Sequence, residues 1–74
     1  MSTRTEQGTD APVRVLRLPQ VLARTGLSRS SIYLRVADGT FPRPVRLGKR
    51  AIGWIESEID QWIRAQIAAS RGGA

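Results

Sequence analysis

The sequence predicts a small domain that is mainly α-helical with one β-hairpin, arranged as a winged helix-turn-helix. Three observations lead there. Two short helical segments, each closed by a glycine, flank the tight turn "TGLS" at residues 25–28, which is helix-turn-helix spacing. Two short β-prone segments, 45–47 and 52–54, then flank a "GKRA" turn, the pattern of a hairpin. A third amphipathic segment begins near "SEID" and ends before two glycines, as a closing helix should.

Seventy-four residues suit one domain, because a second core would bury too little surface to offset its ordering entropy. Residues 1–12, "MSTRTEQGTDAP", are polar without apolar periodicity and read as a flexible tail. The ordered domain is expected over 13–70, with 71–74 as a second flexible tail.

Within the domain, Val13, Val15 and Leu16 read as a short extended segment. Pro19 suits the first turn of a helix, and Leu18, Val21, Leu22 and Thr25 follow the i, i+3, i+4, i+7 spacing of one buried face. Gly26 is placed to end that helix with a left-handed cap. Ser28 is an N-cap for "RSSIYLRVAD", which Gly39 closes. The prolines of "TFPRPV" forbid helix and force an extended connection. Glycine eases the turn between Val45–Leu47 and Ile52–Trp54. Ser57 is expected to cap the last helix, with Asp60 completing a box three residues later. Ile59, Trp62, Ile63 and Ile67 form its apolar stripe. Phe41, Trp54 and Trp62 are assigned to the core, since each sits within an apolar pattern.

Cysteine and histidine are both absent, which removes disulfides, the usual zinc ligand sets and imidazole acid–base chemistry. Glu56, Glu58 and Asp60 gather where a helix starts, and macrodipole and capping account for them without a metal or catalytic role. No phosphate-binding glycine loop precedes a helix. The expectation is a protein that is not an enzyme, with no catalytic residue, metal, cofactor or small-molecule ligand. No apolar run approaches the roughly 20 residues that span a membrane, and the N-terminus has no signal-type apolar region. A cytoplasmic, nucleoid-associated protein with no membrane partner is expected.

The net charge is +6, and arginine supplies eleven of the twelve cations. Such a balance favours a polyanionic partner, and arginine's planar fork suits phosphates and guanine edges. From Arg24 to Arg50, both included, lie seven basic residues and one acid.

At 100° per residue, Ser31, Ile32, Arg35 and Val36 cluster on one side of the second helix and Ser30, Tyr33, Leu34 and Ala37 on the other. Ile32 and Val36 mark the first side as core, so the second is presented. A helix of about ten residues is roughly 15 Å long and fits a B-DNA major groove of about 12 Å. Arg29 and Ser30 lie in its first turn, where base contacts from such helices concentrate. Tyr33 can stack, donate to a phosphate or touch a thymine methyl; Leu34 offers only an apolar surface. Arg35 lies at the core's edge, with its head free to reach a phosphate or Asp38. Arg46, Lys49 and Arg50 make the hairpin a basic wing suited to phosphates.

The order of "TGLSRSSIY" at 25–33, "GTFPRPVRLG" at 39–48 and "AIGWIESEIDQWI" at 51–63 closely resembles the AlpA family of phage and prophage transcriptional regulators. That family is related to small excisionases and to the DNA-binding domain of MerR-type regulators. The likeness covers residues 14 to about 69. It implies a MerR/excisionase-like winged helix-turn-helix with Arg29, Ser30 and Tyr33 on the DNA face and Lys49 and Arg50 in the wing. The chain departs from the family pattern after the tyrosine, where members often carry a basic residue. Here that position is Leu34, and the arginine follows as Arg35.

The leading expectation is therefore a sequence-specific double-stranded DNA-binding regulator of transcription in a phage or prophage-like element. An excisionase that bends attachment-site DNA and assists an integrase would use the same fold and contacts. A module whose basic face binds an acidic protein or RNA is the remaining alternative, disfavoured for structured RNA because the A-form major groove does not admit the helix. One helix of this size covers only a few base pairs, so useful specificity calls for a homodimer or for assembly on DNA.

Overall fold

The computed structural model describes residues 12–72. In chain order its elements are β1 (Val15–Leu16), α1 (Leu18–Thr25), α2 (Arg29–Asp38), β2 (Val45–Arg46), β3 (Ile52–Ile55) and α3 (Glu56–Gly72). Of the two expected tails, residues 1–11 and 73–74 lie outside the described residues, and Arg71 and Gly72 belong to the end of α3.

Local chemistry sets the ends of the first two helices. The Arg17 backbone N–H donates to Gln20 Oε1 at 2.8 Å ahead of α1, and Pro19 sits in its first turn. Gly26 closes α1 at φ 74°, its N–H donating to the Leu22 carbonyl at 2.8 Å. Ser28 then caps α2 by accepting from the Ser31 N–H at 3.2 Å. Gly39 closes α2 at φ 78°, and the Thr40 N–H donates back to the Arg35 carbonyl at 2.9 Å. Both glycines occupy the left-handed region that side chains disfavour. Between the helices, Thr25 Oγ1 donates to the Val21 carbonyl at 2.8 Å and accepts from the Leu27 N–H at 3.2 Å, which stiffens the short turn.

The sheet holds one strand more than the expected hairpin. Its order is β1-β3-β2, antiparallel throughout, with Val15 opposite Ile55, Leu16 opposite Trp54, Val45 opposite Gly53 and Arg46 opposite Ile52. β1 therefore docks the chain's entry to α1 onto the strand that leads into α3. The central position of β3 explains Gly53. A Cβ there would overlap Val15 Cγ1 and lie 3.1 Å from Leu47 Cδ1, because side chains from both flanking segments close over the glycine.

Six residues form the buried core: Leu16, Val21, Ile32, Phe41, Trp54 and Ile59. They come one each from β1, α1, α2, the connection before β2, β3 and α3. Every segment except β2 thus contributes one anchor, and Leu18, Leu22, Leu27, Val36, Ile52, Trp62 and Ile63 pack around them.

The last helix corrects two expectations. α3 begins at Glu56, directly after β3, so Ser57 lies inside its first turn and is not its cap. The Glu56 N–H instead donates to the Arg14 carbonyl at 2.8 Å, a partner supplied by the chain entering β1. The apolar stripe also ends early. Ile59 is buried and Trp62 and Ile63 half-buried, but Ile67 is 47% exposed. A helix of 17 residues is about 25 Å long, and the core beneath it is too small to reach the second half.

Candidate nucleic-acid interface

Burial divides α2 as its periodicity requires. Ile32 is fully buried, with Ser31, Arg35 and Val36 half-buried beside it. Arg29, Ser30, Tyr33, Leu34 and Ala37 are exposed. Four of these carry side chains able to touch a partner beyond a methyl group, and Tyr33 and Leu34 are 44% and 65% exposed. The caps at Ser28 and Gly39 hold the helix at both ends, so this face is presented by a rigid element.

Leu34 stands at an edge. On one side is the face of Ser30, Tyr33 and Ala37; on the other, Ser31, Leu34, Arg35 and Asp38 line a groove of about 510 Å³ with Thr40 and Gln66 of α3. Arg35 turns into that side of the molecule. Its guanidinium carbon lies 5.9 Å from the Trp62 ring centroid, at the outer range of a cation–π contact. It forms no ion pair with Asp38 among the described residues. The tryptophan, on an element 27 residues further along, is the partner that local spacing could not name.

The wing is short. β2 ends at Arg46 and β3 begins at Ile52, one residue less on the first strand and one more on the second than expected. The Leu47 N–H donates to the Ala51 carbonyl at 2.7 Å and the Gly48 N–H to the same oxygen at 3.3 Å. Gly48 needs no positive φ, so the turn does not depend on glycine's freedom there. Arg46, Lys49 and Arg50 are all exposed, and none is ion-paired among the described residues.

Arg24 behaves differently from the other cations of the basic stretch. Its Nη1 donates to Glu56 Oε2 at 3.0 Å and its Nη2 to Asp60 Oδ1. The hydrogen bond that it donates to Glu56, followed by the charge of Asp60, raises its pKa above the ordinary arginine value. Glu56 and Asp60 therefore tie α1 to α3, a role beyond the capping and macrodipole assigned to them from sequence. The pairing spans 32 and 36 residues, beyond the reach of any local pattern.

Among the described residues, no group of His, Cys, Asp and Glu is arranged to hold a metal. No described helix is long and apolar enough to cross a membrane. What the surface offers is a presented helix face bearing Arg29, Ser30 and Tyr33 and a cationic turn, both carried on one core. Their chemistry suits base edges and phosphates respectively.

Residues 14–67 match the family model described as "Prophage CP4-57 regulatory protein (AlpA)". The chain is 46% identical over 57 residues to "DNA-binding transcriptional activator AlpA" of Escherichia coli (strain K12), a match covering 69% of this chain and 81% of that protein. It is 42% identical over 60 residues to "Uncharacterized protein ORF88" of Enterobacteria phage P4, covering 81% of this chain and 68% of that protein.

Proposed function

The chain belongs to the AlpA family of prophage regulatory proteins, and we propose that it is a double-stranded DNA-binding regulator of transcription in a phage-derived element. The observation that carries this reading is the combination of an exposed Arg29–Ser30–Tyr33 helix face with an exposed Arg46–Lys49–Arg50 wing that forms no ion pair among the described residues. The functional unit is residues 13–70. In it α2 enters the major groove, Arg29 forks onto guanine O6 and N7, and Ser30 and Tyr33 contact the flanking bases or backbone. Lys49, Arg50 and Arg46 hold phosphates beside that groove. Leu34 offers its methyls to a thymine at the edge of the helix face, and Arg35 supports α2 from the side of Trp62.

An α2 of ten residues reads only a few base pairs, so two copies act on one site, assembling on DNA. The protein works where the DNA is, in the cytoplasm on the nucleoid. Fluorescence anisotropy with labelled duplexes drawn from around its own gene tests the proposal. One fragment should bind at least tenfold tighter than its scrambled version. Equal affinity for every duplex, or for duplex RNA of the same sequence, would overturn it.

A further inference from the structure

The connection between α2 and the wing, Thr40–Pro44, contains two prolines and no regular structure, yet the fold holds it at three consecutive residues. Trp62 of α3 donates its indole Nε1–H to the Thr40 carbonyl at 2.7 Å. Trp54 of β3 donates its own to the Pro42 carbonyl at 3.0 Å. Between those two carbonyls, Phe41 is buried and meets the Trp62 ring edge-on, with centroids 4.8 Å apart and planes at 67°. Thr40 Oγ1 also donates to the Arg35 carbonyl at 3.3 Å, tying the same point back to α2.

A loop beside a core normally leaves its carbonyls to water. Here two of them, at alternate residues, are taken by the only two tryptophans of the chain. Pro42 and Pro44 fix their own φ angles and contribute no N–H, so little torsional freedom is left between Gly39 and Val45. The two indoles come from β3, the wing's second strand and the centre of the sheet, and from α3, which follows it. The link is therefore referenced to the frame and not merely to its own ends.

We propose that Trp62 and Trp54 are positioning residues that set the distance and angle between α2 and the wing, so that base reading and phosphate binding occur in one register. This inference rests on the DNA-binding reading given above. It predicts energetic coupling between two contact sets that do not touch each other, which packing for stability alone would not produce.

The test compares wild type, Lys49→Ala, Trp62→Phe and the double variant by anisotropy on the preferred duplex across a salt series, with thermal melts of each. Trp62→Phe keeps an aromatic ring against Phe41 and removes the N–H. In the wild-type background Lys49→Ala should weaken binding by about tenfold, as a charge-assisted contact would, and make the slope of log affinity against log salt shallower by about one. In the Trp62→Phe background the Lys49→Ala loss should shrink to less than twofold, and Trp62→Phe alone should already show the shallower slope. Loss of stability alone lowers the active fraction and leaves slope and coupling unchanged. Should Trp62→Phe fail to fold, Pro44→Ala loosens the same link without entering the core, and the same shrinkage is expected.

A folded variant in which Lys49→Ala still costs about tenfold would overturn the inference while leaving DNA binding intact. Wild type that shows no preference for any duplex would instead overturn the DNA-binding reading, and this inference with it.

Discussion

Arg24 on α1 and Glu56 at the start of α3 meet at 3.0 Å, Nη1 to Oε2, across 32 residues of sequence. Together with the contact to Asp60, this makes Arg24 an internal tie, unlike its neighbours in the basic stretch. Arg24→Gln should lower the melting temperature, and by less in high salt, because an exposed pair is screened. The same change should leave the salt slope of DNA binding untouched, since the lost charge faces no phosphate. A shallower slope in Arg24→Gln would show that Arg24 contacts DNA. The raised pKa of this arginine gives its share of stability a definite sign with pH. That share is fully present below the ordinary arginine value and is lost only as pH rises through the still higher folded-state value. Titration between pH 6 and 9 should therefore show no unfolding step traceable to Arg24.

Gly53 is the position where a single methyl should do most harm. A Cβ would collide with Val15 Cγ1 and crowd both the Leu16 carbonyl and Leu47 Cδ1. Overpacking of this kind costs about 1–3 kcal/mol, so Gly53→Ala should shift the urea midpoint downward accordingly. Gly48→Ala is the control, because a Cβ there meets nothing within 4 Å and φ is not positive. Its midpoint should stay close to that of wild type.

Arg29 and Lys49 should divide the work of recognition. Arg29→Ala is expected to cost about 1–3 kcal/mol on the preferred duplex and much less on random DNA. Lys49→Ala should weaken both alike. If each copy neutralises about five phosphates, log affinity should fall against log salt with a slope of about −4 to −5. Competition binding on preferred and scrambled duplexes, repeated across a salt series, measures all three quantities. Equal losses for both variants on both duplexes would contradict the division.

Leu34, 65% exposed, contributes no burial worth losing. Leu34→Ala should leave the melting curve unchanged within about 0.5 kcal/mol. A thymine-methyl contact predicts weaker binding only to duplexes with thymine at one position, and replacing that thymine by uracil should reproduce the loss in wild type. Placing arginine there, as Leu34→Arg, should steepen the salt slope by about one, since the edge of the helix face lies beside the groove that Arg35 and Asp38 line.

The parts that the sequence could state alone are those with a local cause. Ser28, Gly26 and Gly39 announce helix ends because caps act within a few residues, and the burial of Ile32 beside exposed Tyr33 follows from 3.6-residue periodicity. The same logic placed Arg29 and Ser30 at the first turn of α2 and Lys49 and Arg50 on a turn. Local rules misled at Ser57, where a good capping pattern lost to a helix starting two residues earlier, with the Glu56 N–H on the Arg14 carbonyl. They misled again at Ile67, where the stripe outran the core.

The amino-acid sequence by itself determined which segments are helical, where the first two helices stop, which face of α2 turns outward and how much positive charge the molecule presents. Only the tertiary structure decided that Val15 and Leu16 complete a three-stranded sheet, that Arg24 is spent on Glu56 and Asp60, and that Arg35 lies over Trp62. It also decided that two indoles hold the carbonyls of Thr40 and Pro42. The physical reason is one of range: caps and periodicities act over three or four residues, whereas these contacts join groups 12 to 40 residues apart. Such groups meet only after the shared core of Trp54, Ile32 and Ile59 has brought their elements together.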